Sequence, residues 1–181
     1  MRKPSTRWHR SGTTRVGEYG VFDVLRHEIH REIHEGIHPE IHRKRDERKR
    51  TIHTLETPQE WCNVVATTPD DHLIMVRLQR FGIDAPSLEI PGGLIDPGEQ
   101  PIDAARRELA EESGYSAREL VPLTVVHANP AIQPTRLHVF LATGCTPRPE
   151  GQQLDELEDC ELVLVPLAEL DDRLRRGDVV A

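Results

Sequence analysis

Residues Gly92–Tyr115 read GGLIDPGEQPIDAARRELAEESGY, and this stretch decides the centre of the fold. Pro101 suits a first helical position, because the N–H that proline lacks would be unpaired there. Asp103 complements the positive end of a helix dipole, and Gly114 is a typical helix stop. The stretch therefore predicts a helix over residues 101–113. Its buried stripe is predicted to consist of Ile102, Ala105 and Leu109.

The predicted helix carries three carboxylates on one side. Glu108, Glu111 and Glu112 lie within an arc of roughly 100° at the angular spacing of an α-helix. Like charges this close repel one another unless a cation lies between them, and Mg2+ prefers such oxygen ligands. Bound Mg2+ polarises a phosphoryl oxygen and activates water as a nucleophile. The alternative, a solvated acidic face, leaves Glu99 and Arg107 at their fixed spacing unexplained.

The spacing G-x5-E-x7-R-E-L-x-E-E-x-G, from Gly93 to Gly114, resembles the signature of the Nudix hydrolases, which cleave nucleoside diphosphates linked to another group. The one loose match is Tyr115, where that family usually has an aliphatic residue. The resemblance implies Mg2+, with Mn2+ as a substitute, as the cofactor. It implies a catalytic Glu112 and a metal site made by the Gly92 carbonyl with Glu108, Glu111 and Glu112. Gly93, Glu99 and Arg107 would support that site, with Arg107 pairing with Glu111 or Glu99 or else contacting phosphate directly.

The flanking segments LIMVRLQRFG, residues 73–82, and LEIPGG, residues 88–93, resemble the branch that hydrolyses ADP-ribose and nucleoside diphosphate sugars. In that branch Arg80 is the first candidate for a diphosphate contact and Arg77 the second. Glu89 would touch the substrate or hold the site together. The acidic segment at residues 154–159 would supply the catalytic base, with Glu158 as first choice and Glu156 as second. Each of these charges has a plainer alternative as a solvated or structural residue.

The first 50 residues form a basic arm with 13 Lys/Arg and 8 Asp/Glu, and the other 131 residues carry 10 and 23. Within the arm, residues 28–43 repeat an Ile-His pair every four positions. The repeated histidines are His30, His34, His38 and His42. On a helix they could share a transition metal, whereas the alternative is an amphipathic or extended insertion without a metal. By resemblance, the arm supplies swapped strands to a homodimer, and Trp8 and Phe22 either stack on the base or anchor an interface or core.

Composition excludes several classes of protein. The acidic body argues against nucleic acid as the main ligand, and no apolar run is long enough to span a membrane. We also find no apolar signal-like segment, so we expect a cytoplasmic protein. The three cysteines, Cys62, Cys145 and Cys160, lack metal-site spacing and are interpreted as buried thiols in a reducing compartment.

The predicted elements indicate an α/β fold in which a mixed β-sheet lies between α-helices. Strands are predicted at Thr51–Leu55, Trp61–Thr67, Leu73–Leu78, Leu120–His127, Leu137–Thr143 and Cys160–Val165, and a last helix at Pro166–Arg176. We expect the arm, 1–50, to precede a catalytic domain, 51–181, that hydrolyses ADP-ribose or a nucleoside diphosphate sugar to a nucleoside monophosphate and a sugar phosphate. The rival hypotheses are a nucleoside triphosphate or RNA pyrophosphohydrolase and a non-catalytic nucleotide-sugar sensor.

Overall fold

The computed structural model describes residues 5–34, 43–154 and 159–179, and it divides the chain into two compact units. The first unit comprises the described residues up to Pro58 together with Asn129–Thr135. The second comprises residues 59–128 and the described residues from 136 onward. Helices long and apolar enough to cross a membrane are absent from these ranges.

The first unit contains an antiparallel sheet of three strands in the order β1-β2-β3. The strands are β1 (Ser5–Glu18), β2 (Asp23–His34) and β3 (Arg43–Glu56). The predicted strand at Thr51–Leu55 is therefore part of a longer one. The Ile-His repeat begins within β2, so its described part is extended rather than helical. His38 and His42 lie outside the described residues.

The second unit is built on a mixed sheet of seven strands. Its path runs β12-β5-β4-β10-β9, with β6 added on β5 and β7 on β4. The β4–β10 pair is parallel, and the other pairs of this sheet are antiparallel. The seven strands are β4 (Trp61–Thr67), β5 (His72–Arg80), β6 (Ala85–Glu89), β7 (Gly92–Leu94), β9 (Glu119–His127), β10 (Arg136–Thr143) and β12 (Cys160–Pro166). A separate pair joins β8 (Tyr115–Ser116) to β11 (Thr146–Pro147).

Two helices cover opposite faces of the seven-stranded sheet. Alternate residues of β4 face one side, where Val64 packs with Ala105 and Leu109 of α1 (Pro101–Ser113). On the other face, Met75 belongs to a second apolar cluster that Leu170 of α2 (Leu167–Arg176) packs against. Because successive strand residues point to opposite faces, each helix covers its own set of side chains. This arrangement confirms the predicted mixed sheet between helices.

The ends of α1 follow the predicted chemistry. Pro101 begins the helix, and Gly114 ends it in the left-handed conformation with a φ of 72°. The second helix differs by one residue from its prediction. Pro166 stays extended and pairs with His72 as the last residue of β12, so α2 begins at Leu167.

Candidate active site

Helix α1 presents Glu108 and Glu112 toward strand β7. Glu108 and Glu112 are only 8 % exposed, although glutamate is seldom buried without partners. The Glu111 side chain lies at the rim with 37 % exposure. The sequence predicted this shared side of the helix from spacing alone, and the structure adds that two of the three carboxylates are withdrawn from solvent.

The guanidinium of Arg107 holds these carboxylates in place. Its Nε and Nη2 donate to Glu99 at 3.1 and 3.0 Å, and its Nη1 donates to Glu108 at 2.8 Å and to Glu111 at 3.1 Å. Nη2 also donates to the Leu94 carbonyl at 3.0 Å, which connects the end of β7 to the same cation. Arg107 thus pairs with both of the residues that the sequence offered as alternatives, Glu99 and Glu111, and Glu108 is a further partner. Hydrogen bonding from Arg107 holds the pKa of Glu99 below its usual value, and Glu99 raises the pKa of Arg107.

The two glycines of β7 leave space that any side chain would fill. A Cβ at Gly93 would overlap the Glu108 carboxylate, and one at Gly92 would overlap the Cys62 carbonyl. The Gly92 N–H donates to Glu112 Oε2 at 2.8 Å, so backbone and carboxylate meet directly. Burial raises the pKa of the Cys62 thiol to about 11, which keeps this neighbouring sulfur protonated at neutral pH.

A second arginine, Arg80, lines the same surface cleft as the carboxylates of α1. Arg80 Nε and Nη2 donate to the two oxygens of Glu89 at 2.8 and 2.7 Å, a bidentate pair. Only 11 % of the Glu89 side chain is exposed, against 50 % for Arg80. This pairing lowers the pKa of Glu89 and raises that of Arg80. Glu89 therefore fixes Arg80 at the cleft, which matches the structural alternative for Glu89.

The cleft has a volume of about 610 Å³ and gathers seven of the twelve predicted site residues that the structure describes. It is lined by Arg80, Gly92, Gly93, Arg107, Glu108, Glu111 and Glu112, among others. Arg77 does not line it, and pairs instead with Glu161 at 2.8 Å. Seven lining residues were not predicted as site residues, among them Asp96, Asp159 and the 89 % exposed Phe81. Asp96 lies within the Gly92–Tyr115 stretch, and Asp159 ends the acidic segment at residues 154–159. Their closeness to these motifs was the only sequence feature that could have indicated them.

The donor set of this cleft fits a divalent cation. Glu108, Glu111 and Glu112 offer only oxygen ligands, which Mg2+ and Mn2+ accept. Within the described ranges no three His, Cys, Asp or Glu side chains are already gathered around one point. The reason is that Arg107 draws Glu108 and Glu111 to itself while Glu112 accepts the Gly92 N–H. The lack of a side chain at Gly93 lets the Glu108 carboxylate lie directly against the strand backbone.

The remaining predicted residues include two in the first unit and two outside the described residues. Trp8 belongs to the first unit, is 45 % exposed, and has Arg50 and Arg31 5.1 and 6.0 Å from its ring centre. Phe22 belongs to the same unit, and its ring centre lies 5.4 Å from that of Tyr19. The two candidates for the base, Glu156 and Glu158, lie outside the described residues. All three cysteines are buried thiols, as predicted.

Known proteins are similar to this chain in sequence and in architecture. An ADP-ribose pyrophosphatase of Bacillus subtilis (strain 168) is 38 % identical over 104 residues, which are 58 % of this chain and 56 % of that protein. The ADP compounds hydrolase NudE of Escherichia coli (strain K12) is 37 % identical over 109 residues, 60 % of this chain and 58 % of that protein. The matched region thus spans less than two thirds of either relative.

A solved structure, described as the crystal structure of ADP compounds hydrolase, superposes with a TM-score of 0.76 at 27 % identity. The superposition covers 100 % of this chain and 88 % of that one. The family model for the NUDIX domain matches residues 57–181, a range that contains the acidic helix, both glycines of β7 and Arg80. The chain belongs to the NUDIX domain family.

Proposed function

We propose that this protein catalyses the Mg2+-dependent hydrolysis of ADP-ribose or a nucleoside diphosphate sugar, giving a nucleoside monophosphate and a sugar phosphate. The observation that carries the proposal is the joint presence of the acidic helix, Arg107 and Arg80 in one cleft of about 610 Å³. Two relatives named for ADP-ribose and ADP compounds support the substrate class.

The residues that would hold the cation are Glu108, Glu111, Glu112 and the carbonyl of Gly92, with Mn2+ as a substitute ion. When bound, the ion supplies Lewis-acid polarisation of a phosphoryl oxygen and lowers the pKa of water. Arg107 contributes by fixing the carboxylates before substrate arrives, since its donors already engage Glu108 and Glu111. A site organised in advance loses little free energy to rearrangement during the reaction.

Arg80 is the proposed contact for the diphosphate, with Arg77 as the weaker candidate. Glu89 engages Nε and Nη2 of Arg80 and leaves Nη1 for a phosphate oxygen. In the reaction, a water oxygen bonds to one phosphorus while the bond from that phosphorus to the bridging oxygen breaks. The bridging oxygen leaves with the other phosphate. We assign the water's proton to Glu158, or to Glu156, as the general base.

We further propose a homodimeric, cytoplasmic protein in which residues 1–50 form the arm and 51–181 the catalytic domain. The polar three-stranded sheet would meet a second copy, and Trp8 or Phe22 would then stack on the substrate base. Multi-angle light scattering gives the mass in solution: twice the chain mass supports the arrangement, and a monomer at micromolar concentration contradicts it.

The test of activity is the release of nucleoside monophosphate with Mg2+ from ADP-ribose, ADP-glucose, GDP-mannose, UDP-glucose and a nucleoside triphosphate. Glu112→Gln removes one metal ligand and keeps the shape of the side chain. Glu169→Gln is the matched control, because Glu169 is an exposed residue of α2 that pairs with Arg173. We expect release from a diphosphate substrate by the wild type and by the control, with a loss of at least about 100-fold in Glu112→Gln.

Other outcomes favour the rivals. Release from the triphosphate alone would indicate a triphosphate or RNA pyrophosphohydrolase. Tight substrate binding without product, with both Mg2+ and Mn2+ supplied, would indicate a sensor. The helix retains its three glutamates, and Glu99 is also present, which counts against the sensor. The acidic body and the flanking segments count against the triphosphate or RNA pyrophosphohydrolase.

A further inference from the structure

A second pocket lies on the flank of α1, beside the cleft. This helix-flank pocket has a volume of about 450 Å³ and lies between α1 and the segment 146–153. It shares Arg107 and Glu111 with the cleft, so the two cavities adjoin along the same helix. Its further polar lining comes from Arg106, Arg148, Ser116 and Gln153, with Asp103 at the helix start.

The two cavities differ in the sign of their charge. The cleft is lined by five carboxylates and two guanidiniums, which makes its lining negative. The helix-flank pocket is lined by three guanidiniums and two carboxylates, which makes its lining positive. In the absence of a metal, the pocket therefore repels an anion less strongly than the cleft beside it does.

Arg148 is the side chain of the pocket with the most hydrogen-bonding capacity left over. Its guanidinium is 26 % exposed, and its ion pair with Glu150 has an Nε–Oε2 separation of 3.6 Å, too long for a hydrogen bond. In contrast, Arg106 donates to Asp103 at 3.1 Å, and Arg107 is fully engaged. A guanidinium offers five donors in a planar fork that matches phosphate and carboxylate oxygens.

The wall that carries Arg148 is fixed to the helix. The Arg148 N–H donates to the Gly114 carbonyl at 2.8 Å, and the Gln153 N–H donates to the Glu111 carbonyl at 2.9 Å. A Cβ at Gly114 would also meet the Gly151 backbone at 2.7 Å, so the two segments are in close contact. The pocket therefore keeps its shape without a ligand, as binding pockets generally do.

We infer that the helix-flank pocket is a binding site for a small anion, a phosphate or carboxylate group, with Arg148 as its main ligand and Arg106, Ser116 and Gln153 as further donors. The anion is either a distal group of the substrate, which reaches over Glu111, or a separate small molecule. The binding site itself does not depend on the proposed function, whereas the first of these two sources does.

The test is a titration of the protein with inorganic phosphate in the presence of EDTA. Binding is measured by calorimetry and by the NMR chemical shifts of backbone amides. Without a divalent cation the carboxylates of the cleft repel phosphate, so binding reports on the pocket. We expect saturable binding with amide shifts at Ser116 and Gln153, and binding at least about tenfold weaker in Arg148→Ala. Arg106→Ala, at an exposed position, should weaken binding severalfold without affecting the fold. Arg175→Ala is the matched control, because Arg175 is an exposed arginine of α2 paired with Asp171.

Equal phosphate affinity in the wild type and Arg148→Ala, or no saturable binding at all, would overturn the inference. With substrate and Mg2+, competitive inhibition by phosphate and a raised KM in Arg148→Ala would assign the site to the substrate's own distal group. A phosphate effect on rate that does not compete with substrate, and that Arg148→Ala abolishes, would assign it to a separate anion. An inactive enzyme would refute the proposed function and leave the binding result in EDTA to decide the pocket.

Discussion

Replacing Arg107 by alanine would leave Glu99, Glu108 and Glu111 without their common cation. The Arg107 side chain is 30 % exposed, and Glu108 and Glu99 are 11 and 18 % exposed at their side chains. Removing one partner from a buried ion pair costs about 3–5 kcal/mol, and partial exposure screens this, so we expect about 2–4 kcal/mol for Arg107→Ala. At several degrees per kcal/mol for a domain of this size, the melting temperature should fall by about 10 °C.

The assay is thermal unfolding in EDTA, followed by circular dichroism, and repeated with millimolar Mg2+. We expect Mg2+ to reduce the deficit of Arg107→Ala, because the cation supplies positive charge to the same carboxylates. Arg173→Ala is the control, since Arg173 pairs with Glu169 on the surface of α2 and should cost no more than about 0.5 kcal/mol. If Arg107→Ala were as stable in EDTA as Arg173→Ala, Arg107 would not be what holds the carboxylates together.

Three further predictions concern the same site. Gly93→Ala should lower activity by at least about 100-fold, because the added Cβ overlaps the Glu108 carboxylate. Calorimetry should show weaker Mg2+ binding in this variant, and an Mg2+ affinity equal to that of the wild type would contradict the prediction. Hydrogen bonding from Arg107 lowers the pKa of Glu99 in the folded protein, so the contribution of Glu99 to stability is fully present above its unfolded-state pKa and is lost as the pH falls through the lower folded pKa. In urea denaturation between pH 6 and pH 3, the free energy of unfolding should fall less steeply with pH in Glu99→Gln than in the wild type. An equal pH dependence in the two proteins would refute this linkage. In steady-state kinetics Arg80→Ala should raise KM at least about tenfold and Arg77→Ala less than about twofold, since only Arg80 lines the cleft; similar effects would place both on the substrate.

The helix α1 and its neighbours could be predicted because their signals are local. Pro101 and Gly114 mark the helix ends by their own backbone preferences, and both boundaries agree with the structure. The prediction of a strand at Trp61–Thr67 also agrees with the structure, in which alternate residues of β4 are buried. The shared side of the three box glutamates likewise follows from the turn of a helix, without any tertiary information.

The features that escaped prediction depend on contacts between distant residues. Strands β1 and β2 carry polar and charged residues at most positions, so no apolar alternation marks them, and their pairing joins Ser5 to His34. The Arg80–Glu89 pair arises because β5 and β6 fold back on each other. The helix-flank pocket arises because the segment around Arg148 returns to the end of α1, which no local pattern indicates.

The central claim is that the protein hydrolyses a diphosphate bond in this cleft, with a divalent cation held by the glutamates of α1. The most direct test is turnover of ADP-ribose with Mg2+ in water labelled with oxygen-18, with the products separated and weighed by mass spectrometry. The account predicts adenosine monophosphate and ribose phosphate in equal amounts, with one labelled oxygen in one of the two, and the labelled product identifies the phosphorus attacked. It also predicts that Glu112→Gln loses this turnover while Glu169→Gln keeps it. Turnover that survives intact in Glu112→Gln, or no labelled product from the wild type with either Mg2+ or Mn2+, would contradict the account.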